Sequence, residues 1–444
     1  MSSPYADADT DESRTDLIIR TLADAFAPLM KADPAAFRGK YRKMAADPHA
    51  FYRGTACLYY ADVTAIDDPY VDEQSGRIWV HGDLHVENFG TYLDSDGRLV
   101  FDVNDFDEAY LGSFTWDLRR FAASLALVGW QKALPTEEVR KLIRTYLRGY
   151  LSQVDHYCGT SDDQDFALRL DNTEGPIREA LQEAREQTRG ALLAGVSTIE
   201  DGGRVLRDDA TTRRLPAKER RRVEKAFAAY LETIPADKRF DRDLFYRVHD
   251  ITGKSGFGIG SAGLPAYSVL VEGHSEALEN DVLLSMKQAN TPAMSRFVEI
   301  EDVERYFDHE GHRTVVSQRA LQAHTDPLLG YTEIDGVGYV VAEVSPYEID
   351  LDWGDLVEPD EIKAVVEDLG RATAKIHCAS DSDSDQTLVD FQVEAAVERS
   401  LRSRRREFTE WVVDFGIDYA GRVRADHALF VEAFRESRVG VSAT

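Results

Sequence analysis

The stretch spanning residues 77–106 constrains this chain most, because it sets charged residues at fixed offsets around a tight turn. Short apolar runs alternate there with Gly and Asp clusters. His81-Gly82-Asp83-Leu84-His85-Val86-Glu87-Asn88 stands near its start. Residues 91–93 and 99–103 flank Ser95-Asp96-Gly97, a turn signal, so the pattern predicts a small hairpin. Asn104-Asp105-Phe106 comes directly after it. An Asp, then an Asn, then a second Asp behind a hairpin is the set that phosphoryl transfer uses. Asp83 is placed to accept or orient a nucleophile's proton. The amide oxygen of Asn88 and the carboxylate of Asp105 are placed to hold Mg2+. A rival reading takes His81, Asp83 and His85 as HxDxH, a pattern of hydrolytic metal sites. Such a site needs further ligands, and none of the other nine of the 11 histidines, His49, His156 and His249 among them, falls in a second ligand motif.

A second constellation lies far downstream. Residues 256–263 read GFGIGSAG, with GxGxxG at Gly258, Gly260 and Gly263 and a hydroxyl at Ser261. Alone the pattern is weak, since dinucleotide sites, kinases and plain turns share it. The next residues discriminate, because Leu264-Pro265 leads into the alternating strand Tyr267, Val269, Val271 rather than a helix. A Gly-rich turn between two strands suits backbone amides covering phosphates. Val282, Leu284 and Met286 then alternate toward Lys287, where a lysine would meet the α- and β-phosphates of ATP.

Charge narrows the partners. Of 444 residues 80 are acidic and 52 basic, a net charge of −28, which repels nucleic-acid backbones. Only 12 of the basic residues are lysine, the pattern of an acidic surface suited to high salt. At 43% hydrophobic and 30% charged the chain has enough apolar matter for a sizeable core. Cys57, Cys158 and Cys378 are scattered and show no disulfide or CxxC spacing, as in a reducing cytosol. No apolar run approaches the roughly 20 residues of a membrane span. The polar N-terminal residues are unlike a signal peptide. The expectation is a cytoplasmic protein with neither nucleic-acid nor membrane partners.

The organisation reads as an acidic disordered tail over residues 1–15 and helices from 16. A small sheet then precedes more helices, with a long loop near residues 197–212. Residues 246–346 are predicted as an antiparallel sheet carrying a hairpin at Asp335-Gly336, and residues 347–444 as helices. The helical segments 16–245 and 347–444 would together complete one lobe.

HGDLHVEN followed by NDFD has the spacing of the kinase catalytic loop and its metal-binding Asp. Its wording resembles the aminoglycoside and choline kinases more than the protein kinases. FYRG (51–54), GDLHVENFG (82–90), FDVNDFDEA (101–109), FTWDLRRFAASL (114–125), GIGSAG and QRALQAHTDPLLG (318–330) together resemble the DUF2252 family, related in motif to the protein-kinase-like superfamily. The resemblance implies an α+β, bilobal kinase-like fold, circularly permuted because the catalytic loop precedes the Gly-rich lobe. LGRATAKIH (369–377) supports permutation, since it resembles the helix that leads into HGDLH in small-molecule kinases.

On that resemblance Asp83 is the catalytic base, and Asn88 and Asp105 are metal ligands. Gly258, Gly260, Ser261, Gly263 and Lys287 bind nucleotide. Asp117 braces the catalytic loop, Asp107 and Glu108 either bind a second ion or are solvated, the second reading being preferred, and residues 343–345 form the hinge beside the base. The implied activity is ATP- and Mg2+-dependent phosphoryl transfer to a hydroxyl of a small acceptor. Kinases also pair the strand lysine with a helix glutamate. The helix predicted over 313–324 has no acid, Gln318 being its best-placed polar group and Glu299 or Glu304 the substitutes. That departure leaves nucleotidyl transfer and non-catalytic nucleotide binding open, with the metal hydrolase behind them.

Overall fold

The computed structural model describes residues 11–209, 211–241, 243–254, 264–298, 300–384 and 388–442. Four helices open it: α1 (Asp11–Ala32), α2 (Pro34–Met44), α3 (Pro48–Arg53) and α4 (Ala56–Val63). Proline at the first helical position and an aspartate cap set two of these starts. Asp33 accepts from the Ala36 amide, and Asp47 from those of His49 and Ala50. The disordered tail expected to reach residue 15 is corrected here, because α1 begins at Asp11. Arg14 is buried between Asp62 and Asp426, its Nη2 at 2.7 and 2.6 Å from their carboxylates. Both partners lie far away in sequence, so no local pattern announces this anchor.

The stretch around Asp83 comes next as β1 (Ile78–Val80), β2 (Phe89–Leu93), β3 (Leu99–Val103), a 3-10 turn at Phe106–Glu108 and β4 (Tyr110–Gly112). β2 and β3 form the expected hairpin, and β1 pairs antiparallel with β4. After them stand α5 (Phe114–Gln131), α6 (Thr136–Tyr157), α7 (Gly175–Glu186) and α8 (Arg189–Val196).

The sheet region contains β5 (Ser197–Glu200), β6 (Gly203–Leu206), β7 (Thr212–Arg214), α9 (Ala217–Tyr230), β8 (Val248–Lys254), β9 (Ala266–Val271) and β10 (Val282–Gln288). It continues with α10 (Glu301–Tyr306), α11 (Glu310–Gln322), β11 (Gly330–Ile334) and β12 (Val337–Glu343). Six strands pair in the order β11-β12-β10-β9-β8-β7, every neighbouring pair antiparallel. The loop expected over 197–212 is instead the β5–β6 hairpin leading to β7 at the sheet edge. Asp201 and Gly202, both at positive φ, form its turn. The sheet's own cores take in Leu193, Leu206 and α9 through Val223, Phe227 and Tyr230. This region therefore starts well ahead of residue 246.

The chain returns through α12 (Pro359–Cys378), α13 (Val393–Leu401) and α14 (Arg405–Arg435). These join α1–α6 around one core that runs from Ile18 to Val441. α12 lies against α6 so closely that a Cβ on Gly370 would stand 2.1 Å from the Tyr146 carbonyl oxygen. Tyr146 donates to Thr373 at 3.0 Å, tying the pair. Among the described residues no helix is long and apolar enough to cross a membrane.

Candidate functional site

The turn after β1 carries Asp83, and its shape depends on two features. Gly82 has φ +82°, and a Cβ there would stand 2.1 Å from the Glu108 carbonyl oxygen, so only glycine fits. The amides of His81 and Gly82 donate to the two carboxylate oxygens of buried Asp117, at 2.7 and 3.0 Å. His377 of α12 donates Nε2–H to the same carboxylate at 3.2 Å and accepts from Tyr150 at Nδ1. Burial alone would raise the Asp117 pKa. The His377 bond and charge, with His81 behind them, overcome it and hold the group below the ordinary carboxylate value.

His81 and His85 differ in role. His81 donates Nε2–H to the Asn104 carbonyl at 2.8 Å, and its Nδ1 faces the Asp83 amide at 3.3 Å. Both nitrogens are thus committed to holding the turn. His85 is buried, with Nδ1 unpartnered and Nε2 at 3.9 Å from Asp83. Burial, then the cations around it, holds it far below the ordinary histidine pKa and keeps it neutral.

Arg120 of α5 holds the Asp83 side chain. It lies against Tyr52 and Tyr59, its guanidinium 4.4 and 5.0 Å from their ring centres. Its Nε donates to Asp83 Oδ1 at 2.7 Å. Asn88 donates Nδ2–H to the Asp83 carbonyl at 2.8 Å, which leaves its amide oxygen as the end available to a ligand.

Two cavities meet at the carboxylates that succeed β3. The larger is a cleft of about 460 Å³ between the sheet and the helical lobe. Asp105 and Asp107 line it from one side, Lys287 and Glu343 from the sheet, and Gln318 from α11, with Ser345 where the chain leaves the sheet. This size matches ordinary small-molecule sites. The smaller, of about 40 Å³, touches Asp83, Asp105, Asp107 and Glu108 on one wall and Lys40, Arg53 and Arg296 on the other. Asp105 sits at φ 57° in the left-handed region, a strained position for a non-glycine residue. Burial and then Asp107 raise its pKa.

Lys287 Nζ lies 2.5 Å from Asp107 Oδ2. This corrects the reading of Asp107 as a solvated group and supplies the lysine's missing partner. Burial would lower the Lys287 pKa, and Asp107 with Asp105 reverses that and raises it. Glu108, also expected in solvent, is half-buried and accepts from the Ala293 amide at 2.5 Å. Burial pushes its pKa to about 7. The helix predicted over 313–324 starts earlier, at Glu310, but that acid pairs with Arg313 at 2.7 Å.

Gly258, Gly260, Ser261, Gly263 and Glu299 lie outside the described residues, as does the side chain of Glu304. Asp83, Asp105, Asp107 and Lys287 come together. Asn88 lines neither cavity and stands behind Asp83. The oxygens of Asp83, Asp105 and Asp107 do not gather as a trio within 4.8 Å. Arg120 and Lys40 were not singled out from the sequence. Arg120 sits inside the quoted FTWDLRRFAASL string, and Lys40 is one of only 12 lysines. Lys40 is buried against the Phe26 ring, Nζ 3.9 Å from its centre, and burial lowers its pKa to about 8.

Fold and site together define a mixed α+β protein with an acid- and lysine-lined cleft between a helical lobe and an antiparallel sheet. The sequence profile of the family described as uncharacterized protein conserved in bacteria (DUF2252) matches residues 32–433, and the chain belongs to that family. No curated protein and no solved structure matches it.

Proposed function

We propose that the cleft binds Mg-ATP and that the chain transfers the γ-phosphoryl group to a hydroxyl presented at Asp83. The observation that carries this reading is the 2.5 Å contact between Lys287 and Asp107. It joins two constellations far apart in sequence, each of which has the residues for one half of phosphoryl transfer. In this reading Lys287 swings from Asp107 to the phosphates, and residues 343–345 face the base. Asp83, fixed by Arg120, orients the acceptor hydroxyl from the side of the smaller cavity. Asp105 and Asn88 offer the hard oxygens that suit Mg2+, which when bound neutralises charge on the phosphates. Asn88 would turn only its amide oxygen to do so.

The reading also accounts for the order of the lobes. α12 carries LGRATAKIH and ends on the Asp117 brace through His377. That is where a helix leading into the catalytic turn would run if the kinase-like order were permuted. Two observations keep a second reading, nucleotide binding with nucleotidyl transfer or no turnover. Asp83 is ion-paired to Arg120, and Lys287 is paired to Asp107 rather than to a helix glutamate. The metal hydrolase is short of a ligand, because both His81 nitrogens hold the turn.

Calorimetry of Mg-ATP in high KCl tests the reading. Wild type should bind saturably, with Asp105→Ala and Lys287→Ala each weaker by about tenfold or more. Asp83→Asn should keep binding and lose turnover by roughly 10²–10⁴. Transfer of AMP rather than phosphate would select the second reading. Binding unchanged in both cleft variants, or none by folded protein, would sink both.

A further inference from the structure

A second acidic cluster lies away from the cleft, where the segment after α6 meets the segment between α12 and α13. Carboxylate oxygens of Asp163, Asp381 and Asp383 all lie within 4.8 Å of one another. Glu394, in the first turn of α13, adjoins them. Asp163, Asp381 and Glu394 are 7%, 1% and 6% exposed. Asp163 Oδ2 and Glu394 Oε2 are buried with no hydrogen-bond partner.

Two buried carboxylates this close to a third, with buried Glu394 beside them, repel one another, a costly arrangement unless a cation or protons compensate. Among the described residues no ion pair reaches any of the four. Arg405, beside Cys158, is bidentate on Asp155 and so is already paired. The charges acting most on Asp163 are Asp383, Asp162 and Asp165, all of its own sign. Burial pushes Asp381 to about 8, with its acidic neighbours adding to the shift. Sharing a proton between Asp381 and Glu394 relieves part of the charge but supplies one donor for two orphaned oxygens. A cation at the centre satisfies them as well.

All the donors are hard oxygens, which excludes a thiophilic metal. Calcium accepts roughly 6–8 oxygens at about 2.4 Å in flexible geometry, which suits carboxylates carried by three separate segments, whereas magnesium demands near-ideal octahedral geometry. Exposed Asp383 leaves a way in from solvent.

We propose that Asp163, Asp381, Asp383 and Glu394 form a binding site for a calcium-sized divalent cation, which clamps the segment after α6 to the turn between α12 and α13. Asp381 is suited to the centre of it. Its oxygens already accept from the Val393 and Asp383 amides at 3.0 and 3.3 Å, which fixes the turn before any ion binds.

The test uses the full chain stripped with chelator and carrying Asp105→Asn, so that the cleft cannot supply the metal response. Terbium emission sensitised by Tyr157, whose hydroxyl is buried and near Asp163, should rise to saturation and fall as CaCl2 displaces the ion. CaCl2 should raise the unfolding midpoint by roughly 3 °C over KCl of equal ionic strength, and MgCl2 by less. Asp383→Asn, exposed and safe for folding, should weaken calcium by about tenfold. Asp381→Asn should abolish the response and raise the midpoint of the stripped protein. Equal midpoints in CaCl2 and matched KCl, or undiminished calcium affinity in Asp383→Asn, would overturn the site.

Discussion

Asp117 and Asp381 are both buried aspartates near the C-terminal end of α12, yet they stand in opposite electrostatic states. Asp117 receives two backbone amides and the His377 imidazole, and its pKa lies below the ordinary value. Asp381 receives two amides but faces Asp383 and Glu394, and its pKa rises to about 8. Burial acts in the same direction on both. The neighbours' charges decide the sign, so one cluster is a satisfied brace and the other is left with uncompensated like charge.

The largest expected effect breaks the satisfied brace. Asp117→Ala strands the His81 and Gly82 amides and the His377 imidazole in a dry interior, and should cost about 3–5 kcal/mol of stability in chemical denaturation. Activity from the Asp83 turn should fall with it. A loss below about 1 kcal/mol would show that the brace is replaceable.

The pH dependence sharpens the contrast. Asp381 has a raised folded pKa, so the folded state holds the extra proton between the unfolded value near 3.8 and about 8. Metal-stripped protein should therefore lose stability as pH rises through that window, and Asp381→Asn should flatten the slope. Asp117 has the opposite sign. Its contribution is present above pH 3.8 and is lost as pH falls through its lower folded value. Midpoints recorded from pH 5 to 8 with and without CaCl2 check Asp381, and those from about pH 2 to 5 check Asp117. A flat profile in stripped wild type would remove the contrast.

The smallest effect is a control beside the cluster. Asp162 is adjacent to Asp163 but half exposed and paired with His156 at 3.0 Å. Asp162→Asn should change stability by no more than about 0.5 kcal/mol and leave calcium binding intact, because exposed pairs contribute little.

The elements that could be read from the chain are those whose signals are local. Ser95-Asp96-Gly97 between two apolar runs, Asp335-Gly336 in the β11–β12 hairpin, and the alternation ending at Lys287 all appear where the pattern places them. Asp83, Asp105 and Lys287 were legible for the same reason, since fixed spacing around a turn carries the chemistry. The segment over 197–212 was not, because β5 and β6 are short and polar and exist by pairing with each other. The start of the sheet lobe was missed likewise, since α9 shows its allegiance only by the face it buries against β11.

Residue types and their local order determined the catalytic turn, its hairpin and the strand lysine, because such geometry depends on neighbours a few positions away. The partners were decided only by the tertiary structure. Lys287 met Asp107, Arg120 met Asp83, Arg14 met Asp62 and Asp426, and four carboxylates from three segments met around Asp381. An ion pair or a metal cluster depends on distance in space, and a buried charge accepts whichever neighbour packing brings to it. Sequence separation places no limit on that neighbour.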